Sequence, residues 1–98
     1  MTHRTNLHAL ASTAAPTVLV IRTARGDREA LAALYDRYGP ALYRLAVAAR
    51  LERPEQFVVD VFMRVWRHAG DYDPALGTVG RWLANQAIAQ RGGRPSTA

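Results

Sequence analysis

Large apolar side chains recur at helical spacing along the central stretch of this chain, residues 56–68. They occupy positions i, i+1, i+4, i+5, i+8 and i+9, a stripe wide enough to face a core made by other helices. The opposite face is polar, and the i, i+4 spacing of Asp60 and Arg64 predicts an ion pair on a solvated surface. The pattern predicts a central amphipathic helix on which the other segments pack. Its stripe consists of Phe57, Val58, Val61, Phe62, Val65 and Trp66.

A second amphipathic pattern precedes the central helix and continues for about five turns. Gly26 is predicted to end the segment before it, and Asp27 is well placed to cap its N-terminus. Gly39-Pro40 interrupts the pattern and predicts either a kink or two helices, the second starting at Pro40. The predicted inward face consists of Leu31, Leu34, Tyr35, Tyr38, Leu42, Leu45 and Ala49.

The remaining segments are shorter. Residues 18–24 are rich in β-branched side chains, which fits a strand or a helix, and the lack of strand-type alternation elsewhere favours the helix. Pro54 is predicted in the first turn of the central helix, which Gly70 ends. Residues 71–77 form a loop by their Asp-Pro and Gly signals. We therefore expect an all-α fold, a compact bundle of about four helices.

The last helix is predicted to begin after Thr78, a good N-cap residue. Val79, Trp82, Leu83 and Ala87 form its inward face, and we expect Trp66 and Trp82 to be core anchors rather than stacking platforms for bases. A chain of 98 residues holds one small domain at most. We divide it into a flexible segment 1–17, a helical domain 18–91 and a flexible tail 92–98.

Composition narrows the function classes. The net charge is +5 and every basic side chain is an arginine, which suits an anionic partner, although the arginines are scattered and also fit a GC-rich coding bias. Without cysteine, and with three histidines that lack ligand spacing, no metal or other cofactor is expected. No apolar run is long enough for a membrane span or a signal peptide, so a cytoplasmic location is the default. No catalytic constellation is present, and we predict that the chain is not an enzyme.

Two blocks of sequence resemble region 2 of the extracytoplasmic-function sigma factors, members of the sigma-70 family of bacterial transcription initiation factors. The first block is residues 26–46, which contains Leu34-Tyr35-Asp36-Arg37-Tyr38, and the second is residues 61–87, which contains Tyr72-Asp73-Pro74 and Trp82-Leu83. Together with their flanks, the blocks cover roughly residues 18–91, and the motifs occur in the order that the family shows.

The resemblance implies two partners. The helix matching residues 54–68 would dock on a coiled coil of the RNA polymerase clamp. The loop matching residues 71–78 would capture a base flipped out of the non-template single strand of the promoter's minus-ten element, with the last helix supporting it. The implied polymerase-binding residues are Gln56, Val59, Asp60, Met63, Arg64 and Arg67. The implied DNA-binding residues are Asp71, Tyr72, Asp73, Pro74, Gly77, Thr78, Arg81, Asn85 and Arg91.

The sequence also departs from the family pattern. Gln56 and Val59 stand where the family places an acid and a glutamine, and Ala89 replaces a DNA-facing asparagine unless Asn85 serves one turn earlier. No region 4, the module that reads the minus-thirty-five element, follows. Two alternatives therefore stay open. One is an interaction module, a decoy or regulator that binds an anti-sigma factor or polymerase without reading a promoter; the other is a truncated product with no independent role.

Overall fold

The computed structural model describes residues 14–92, which form four α-helices joined by short connections. No strand occurs within this part of the chain, and the predicted all-α fold is confirmed. Two single-turn 3-10 helices lie between the third and fourth α-helices. The elements are α1 (Pro16–Ala24), α2 (Arg28–Ala48), α3 (Pro54–His68), the 3-10 turns Ala69–Asp71 and Pro74–Leu76, and α4 (Val79–Gly92).

The β-branched segment near the start of the chain is helical, so the strand alternative is wrong. Helix α1 begins at Pro16, within the segment that we expected to be flexible, while residues 1–13 and 93–98 lie outside the described residues. Leu19 and Val20 are buried and Ile21 faces outward, as helical spacing requires. Thr23 is buried too, and its hydroxyl donates a 2.8 Å hydrogen bond to the Leu19 carbonyl oxygen, which satisfies it.

The turn between α1 and α2 follows the prediction. Gly26 has a φ of 88°, a left-handed conformation that glycine adopts without steric cost. The Asp27 carboxylate accepts hydrogen bonds from the backbone N–H groups of Glu29 (3.0 Å) and Ala30 (3.2 Å), so it is the N-cap of α2. Arg22 of α1 donates to the same carboxylate at 2.9 Å and ties the two helices together.

Helix α2 is continuous through Pro40, so of the two predicted alternatives, a kink or two separate helices, the second is wrong. An interior proline costs a helix about 3 kcal/mol because it removes a hydrogen bond and crowds the preceding turn. Leu34 and Leu42, on either side of the proline, are both buried in the same core. Tertiary packing of both halves therefore outweighs the local penalty.

The core is built around α3. Its predicted stripe is confirmed for Val58, Val61, Phe62 and Val65, which are buried, whereas Phe57 is half-buried. Helix α2 packs on α1 and α3, and α4 packs on α3. The central helix thus holds the last helix in place. The core side chains from the other helices are Leu19, Val20, Ala30, Ala33, Leu34, Leu42, Val79, Leu83 and Ala87.

Several large side chains predicted to point inward lie at the margin of the core instead. Trp66 and Trp82 are only half-buried, so neither is a fully buried anchor. Tyr35 is 39% exposed, although its ring contacts Phe62 at a centroid distance of 4.9 Å. Leu45 is 59% exposed. Trp82 packs against the core and Tyr35 contacts Phe62, so both side chains lie between the core and solvent.

Candidate functional site

The outer face of α3 carries two large apolar side chains that are open to solvent. Val59 is 39% exposed and Met63, one turn later, is 44% exposed. Arg67 follows on the next turn and is exposed. Beside them, the Gln56 side-chain amide donates a 2.8 Å hydrogen bond to the Asp60 carboxylate. This face presents an apolar pair with a polar border, an arrangement that suits contact with another helix.

Arg64 does not form the predicted ion pair with Asp60. Its guanidinium Nε donates a 3.1 Å hydrogen bond to the side-chain oxygen of Gln86 on α4. Arg64 is half-buried because it lies on the side of α3 that faces α4, while Asp60 is engaged by Gln56. Arg64 therefore links the outer face of α3 to the last helix, and Gln86 is a partner that sequence reasoning missed.

The connection between α3 and α4 forms a concavity of about 140 Å³. Sites for drug-sized molecules measure roughly 300–1,000 Å³, so this one suits a single ring or a short side chain. It brings most of the predicted DNA-binding residues together on one surface. Its lining consists of Asp71, Tyr72, Asp73, Leu76, Gly77, Thr78, Arg81, Trp82 and Asn85.

Hydrogen bonds within the connection hold the walls of this concavity. The Tyr72 hydroxyl donates to the Gly77 carbonyl oxygen at 3.0 Å, and the Tyr72 ring meets Trp82 edge-on at a centroid distance of 5.6 Å. The Asp73 carboxylate accepts from a backbone N–H two residues later at 2.9 Å. The predicted cap of α4 is confirmed, since the Thr78 hydroxyl accepts from the Arg81 N–H at 3.1 Å. Asp73, Thr78 and Tyr72 thus shape the loop.

Two other side chains of the concavity remain available to a ligand. Arg81 and Asn85 lie one turn apart on the exposed side of α4, and neither side chain forms a hydrogen bond or ion pair within residues 14–92. A guanidinium binds phosphate oxygens, and an amide both donates and accepts hydrogen bonds. Asp71 is exposed and lies 3.3 Å from His68, a contact that is an ion pair only when the histidine is protonated.

Gly77 is required at the centre of the loop. Its φ of 151° is one that L-residues rarely adopt, and a Cβ atom there would lie 3.2 Å from Cδ of Arg81. The glycine therefore lets the Arg81 side chain pass close over the loop backbone.

Two predicted DNA-binding residues lie outside the concavity. Pro74 is exposed on the neighbouring turn, and Arg91 is ten residues beyond Arg81, about 15 Å along the axis of α4. Two lining residues were not predicted, Leu76, which is 78% exposed, and Trp82. The available signal for Leu76 was a large aliphatic residue in a loop, at a position that belongs to no helical stripe.

Residues 14–92 contain no helix that is long and apolar enough to cross a membrane. Within the same range, no three histidine, aspartate or glutamate side chains are grouped so that they could hold a metal ion.

Comparison with known proteins identifies relatives of one kind. The chain is 40% identical over 73 residues to the ECF RNA polymerase sigma factor SigK of Mycobacterium sp. (strain KMS), a match covering 71% of this chain and 37% of the relative. The SigK proteins of Mycolicibacterium vanbaalenii (37% over 78 residues, 76% of this chain and 39% of the relative) and Mycobacterium ulcerans (36% over 73 residues, 70% and 38%) match similarly. The chain thus spans less than two-fifths of the length of these relatives.

No family model matches the chain, and no solved structure matches it. The relatives are named as RNA polymerase sigma factors, which agrees with the prediction that the chain is not an enzyme.

Proposed function

We propose that this chain, which is similar over most of its length to extracytoplasmic-function RNA polymerase sigma factors, binds core RNA polymerase and the minus-ten element of a promoter. The observation that carries the proposal is the concavity between α3 and α4, which gathers most of the residues that the family resemblance assigns to DNA. A protein with this role acts in the cytoplasm. The net charge of +5 on the chain suits contact with the phosphate backbone of DNA.

The outer face of α3 is the proposed contact with polymerase. Val59 and Met63 project from one side of the helix and would pack between the helices of the clamp coiled coil. The exposed Arg67 lies next to them and suits a carboxylate of the partner. An interface of this kind depends on a few well-packed apolar side chains with a polar rim.

The proposed DNA contact combines a pocket with a phosphate anchor. A base flipped out of the stack costs a few kcal/mol, which contacts in the pocket must return. The exposed Leu76 and the half-buried aromatic pair Tyr72 and Trp82 offer apolar surface to the base, and Asn85 offers hydrogen bonds to its edge. Arg81, on the first turns of α4, is placed to meet the neighbouring phosphate.

A pull-down at low salt with purified core polymerase tests the protein contact. Met63→Glu should reduce retention at least tenfold, since it places a charge in the apolar part of the interface, a loss of roughly 1.4 kcal/mol or more. Ile21→Glu is the matched control, because Ile21 is exposed to a similar extent (46% against 44%) on a different helix. Equal retention of the two variants would refute the proposed contact.

Binding of short single-stranded oligonucleotides, followed by fluorescence anisotropy over a salt series, tests the DNA contact. Each phosphate contact contributes about 0.7 to the slope of log affinity against log salt. Arg81→Ala should lower that slope by about this amount. Arg25 is an exposed arginine that follows α1, far in sequence from the concavity, and Arg25→Ala should leave the salt slope unchanged. A wild-type protein that does not bind single strands removes the DNA part of the proposal.

The second candidate function is a decoy or regulator that binds polymerase or an anti-sigma factor without reading a promoter. The apolar character of the α3 face favours it, since Val59 stands where the family resemblance expects a polar side chain. The two assays separate the candidates. Polymerase binding without DNA binding supports the decoy, whereas binding to both supports the initiation factor.

A further inference from the structure

A second apolar surface lies away from the loop, in an open groove of about 440 Å³ between the end of α2 and the C-terminal half of α4. Two large side chains face it from opposite sides and stay open to solvent, Leu45 (59% exposed) and Ile88 (67% exposed). Leu51, in the connection between α2 and α3, and Phe57, in the first turn of α3, line the groove together with small alanines. We call this surface the α2–α4 groove.

The groove exists because the two helices that border it pack on different neighbours. The main contacts of α2 are with α1 and α3, and those of α4 are with α3. On the α4 side, the small side chains of Ala84 and Ala87 line the groove. An apolar channel thus remains along the bundle, where contiguous exposed apolar surface commonly marks an interaction site.

The charge around the α2–α4 groove is positive. A neighbouring depression of about 380 Å³ shares Leu51, Phe57 and Arg91 with it and adds Arg53. Within residues 14–92, neither Arg53 nor Arg91 pairs with a carboxylate. Asp60, the one acid that lines the depression, is hydrogen-bonded by Gln56. The apolar groove is therefore bordered by two guanidinium groups that have no anionic partner in this part of the chain.

We propose that the α2–α4 groove binds one amphipathic helix of a partner protein, whose apolar side chains fill the groove and whose acidic flank pairs with Arg53 and Arg91. A helix fits because the groove is bordered by two helices and lined by aliphatic side chains, so residues at i, i+4 and i+7 enter it as a ridge. Acidic side chains fit because the border is cationic and unpaired. This surface goes beyond the proposed polymerase and promoter contacts, and its depression reaches that α3 face only at Gln56 and Asp60.

The probe is a displayed library of helical peptides about four turns long, with varied aliphatic or aromatic residues on one face and glutamates on its flanks. A second library carries lysine at every glutamate position. We expect the 98-residue chain to enrich peptides from the acidic library only. Leu45→Glu or Ile88→Glu should weaken the selected peptides at least tenfold.

Matched controls isolate the groove. Val47→Glu introduces the same charge at an exposed position (50%) of the same helix, outside the groove, and should keep wild-type peptide affinity. Arg91→Glu should reverse the preference, so that the lysine version of a selected peptide binds more tightly than the glutamate version. The variants at Leu45, Ile88 and Val47 should bind single-stranded DNA like the wild type. The Arg91→Glu variant is excepted, because the family resemblance also assigns Arg91 to DNA.

Four results would overturn the proposal. The first is that no peptide is enriched from the acidic library. The second is that a selected peptide binds the wild type and the Leu45→Glu variant with equal affinity. A third is a wild-type dimer in sedimentation equilibrium that Leu45→Glu makes monomeric, which would assign the groove to a second copy. The fourth is tighter peptide binding after Leu7→Glu with Leu10→Glu, which would assign it to the chain's own first residues.

Discussion

The hydroxyl of Tyr72 donates a 3.0 Å hydrogen bond to the carbonyl oxygen of Gly77, across the loop that joins α3 to α4. The bond closes a ring that spans the six residues 72–77, and the tyrosine ring meets Trp82 edge-on. A polar tip on an otherwise apolar residue is well suited to this task, because the ring packs on the core while the hydroxyl satisfies a loop carbonyl.

Tyr72→Phe should therefore loosen the loop while keeping its packing. We expect the free energy of unfolding to fall by about 0.5–1.5 kcal/mol, the usual net value of one hydrogen bond. Single-stranded DNA affinity should fall as well, since the walls of the concavity are no longer fixed. Urea denaturation and anisotropy measure the two effects. Tyr43→Phe is the control, because the exposed Tyr43 hydroxyl has no hydrogen-bond partner within residues 14–92. Equal effects of the two variants would contradict the role of Tyr72.

The contact between Arg64 and Gln86 should couple α3 to α4 energetically. In a double-mutant cycle of Arg64→Ala and Gln86→Ala, we expect an interaction free energy of about 0.5–1.5 kcal/mol, because the two side chains form one hydrogen bond between the helices. The measurement is the free energy of unfolding of all four proteins. Strict additivity of the single variants would show that the contact contributes nothing. The pair Arg67→Ala and Gln86→Ala is the additive control.

Asp27 makes the stability of the domain depend on pH. The N–H of Ala30, together with the guanidinium of Arg22, holds the pKa of Asp27 below its ordinary value of 3.8, against the opposing effect of burial. A carboxyl group whose pKa is lower in the folded state stabilises the fold above its unfolded pKa and loses that effect as the pH falls through the folded value. Its contribution should be complete at neutral pH, should start to decline near the ordinary pKa of 3.8, and should be lost as the pH falls through the lower pKa of the folded state.

Asp27→Asn isolates the charge in this prediction, because asparagine keeps an oxygen that can cap the helix. The variant should be less stable than the wild type at pH 7, and the difference should shrink at pH 3. Denaturation curves at the two pH values provide the measurement. Asp73→Asn, for which the structure indicates only a local hydrogen bond in the loop, is the comparison. A difference that is the same at both pH values would show that the charge of Asp27 is unimportant.

Arg50 should be replaceable by glycine with a gain in stability. It has a φ of 61° and ends α2 in a turn in which the Arg50 N–H bonds to the Val47 carbonyl oxygen and the Leu51 N–H bonds to that of Ala46. This pattern is the Schellman motif, in which glycine is favoured at the left-handed position. Arg50→Gly should add about 1 kcal/mol to the free energy of unfolding. Removing a left-handed L-residue relieves about 1–2 kcal/mol, and the greater entropy that glycine loses on folding cancels part of this gain.

Arg50→Ala provides the control for that gain, because alanine keeps the steric conflict and removes the same charge. Thermal unfolding of the three proteins distinguishes the two effects. A gain with alanine as large as that with glycine would assign the effect to charge rather than to backbone conformation.

The long helices and their caps could be predicted because their causes are local. The spacing of Val58, Val61 and Val65 predicts which side of α3 is buried. Asp27 and Thr78 cap the first turns of α2 and α4, which they directly precede in the sequence. The continuity of α2 could not be predicted in this way. Pro40 argues locally for a break, and only the joint burial of Leu34 and Leu42 in the folded bundle overcomes it.

The candidate site was predictable as a set of residues but not as a shape. The motif around Tyr72 and Gly77 indicated the loop, whereas the hydrogen bond between them depends on the geometry of the turn. The partner of Arg64 was out of reach of sequence patterns, because Gln86 is 22 residues away and becomes a neighbour only when α3 packs on α4. Arg91 was grouped with Arg81 by helix membership, although helical rise separates them.

The hydrogen bond from Arg64 to Gln86 adds a polar contact to the apolar packing of α4 on α3. A carboxylate of a bound protein that takes the Nε–H of Arg64 from Gln86 would remove this one hydrogen bond between α3 and α4. A ligand on α4 that strengthens the contact between Arg64 and Gln86 would in turn oppose that loss. Binding at the outer face of α3 and binding at α4 would then be thermodynamically linked. The coupling free energy would be the same in both directions.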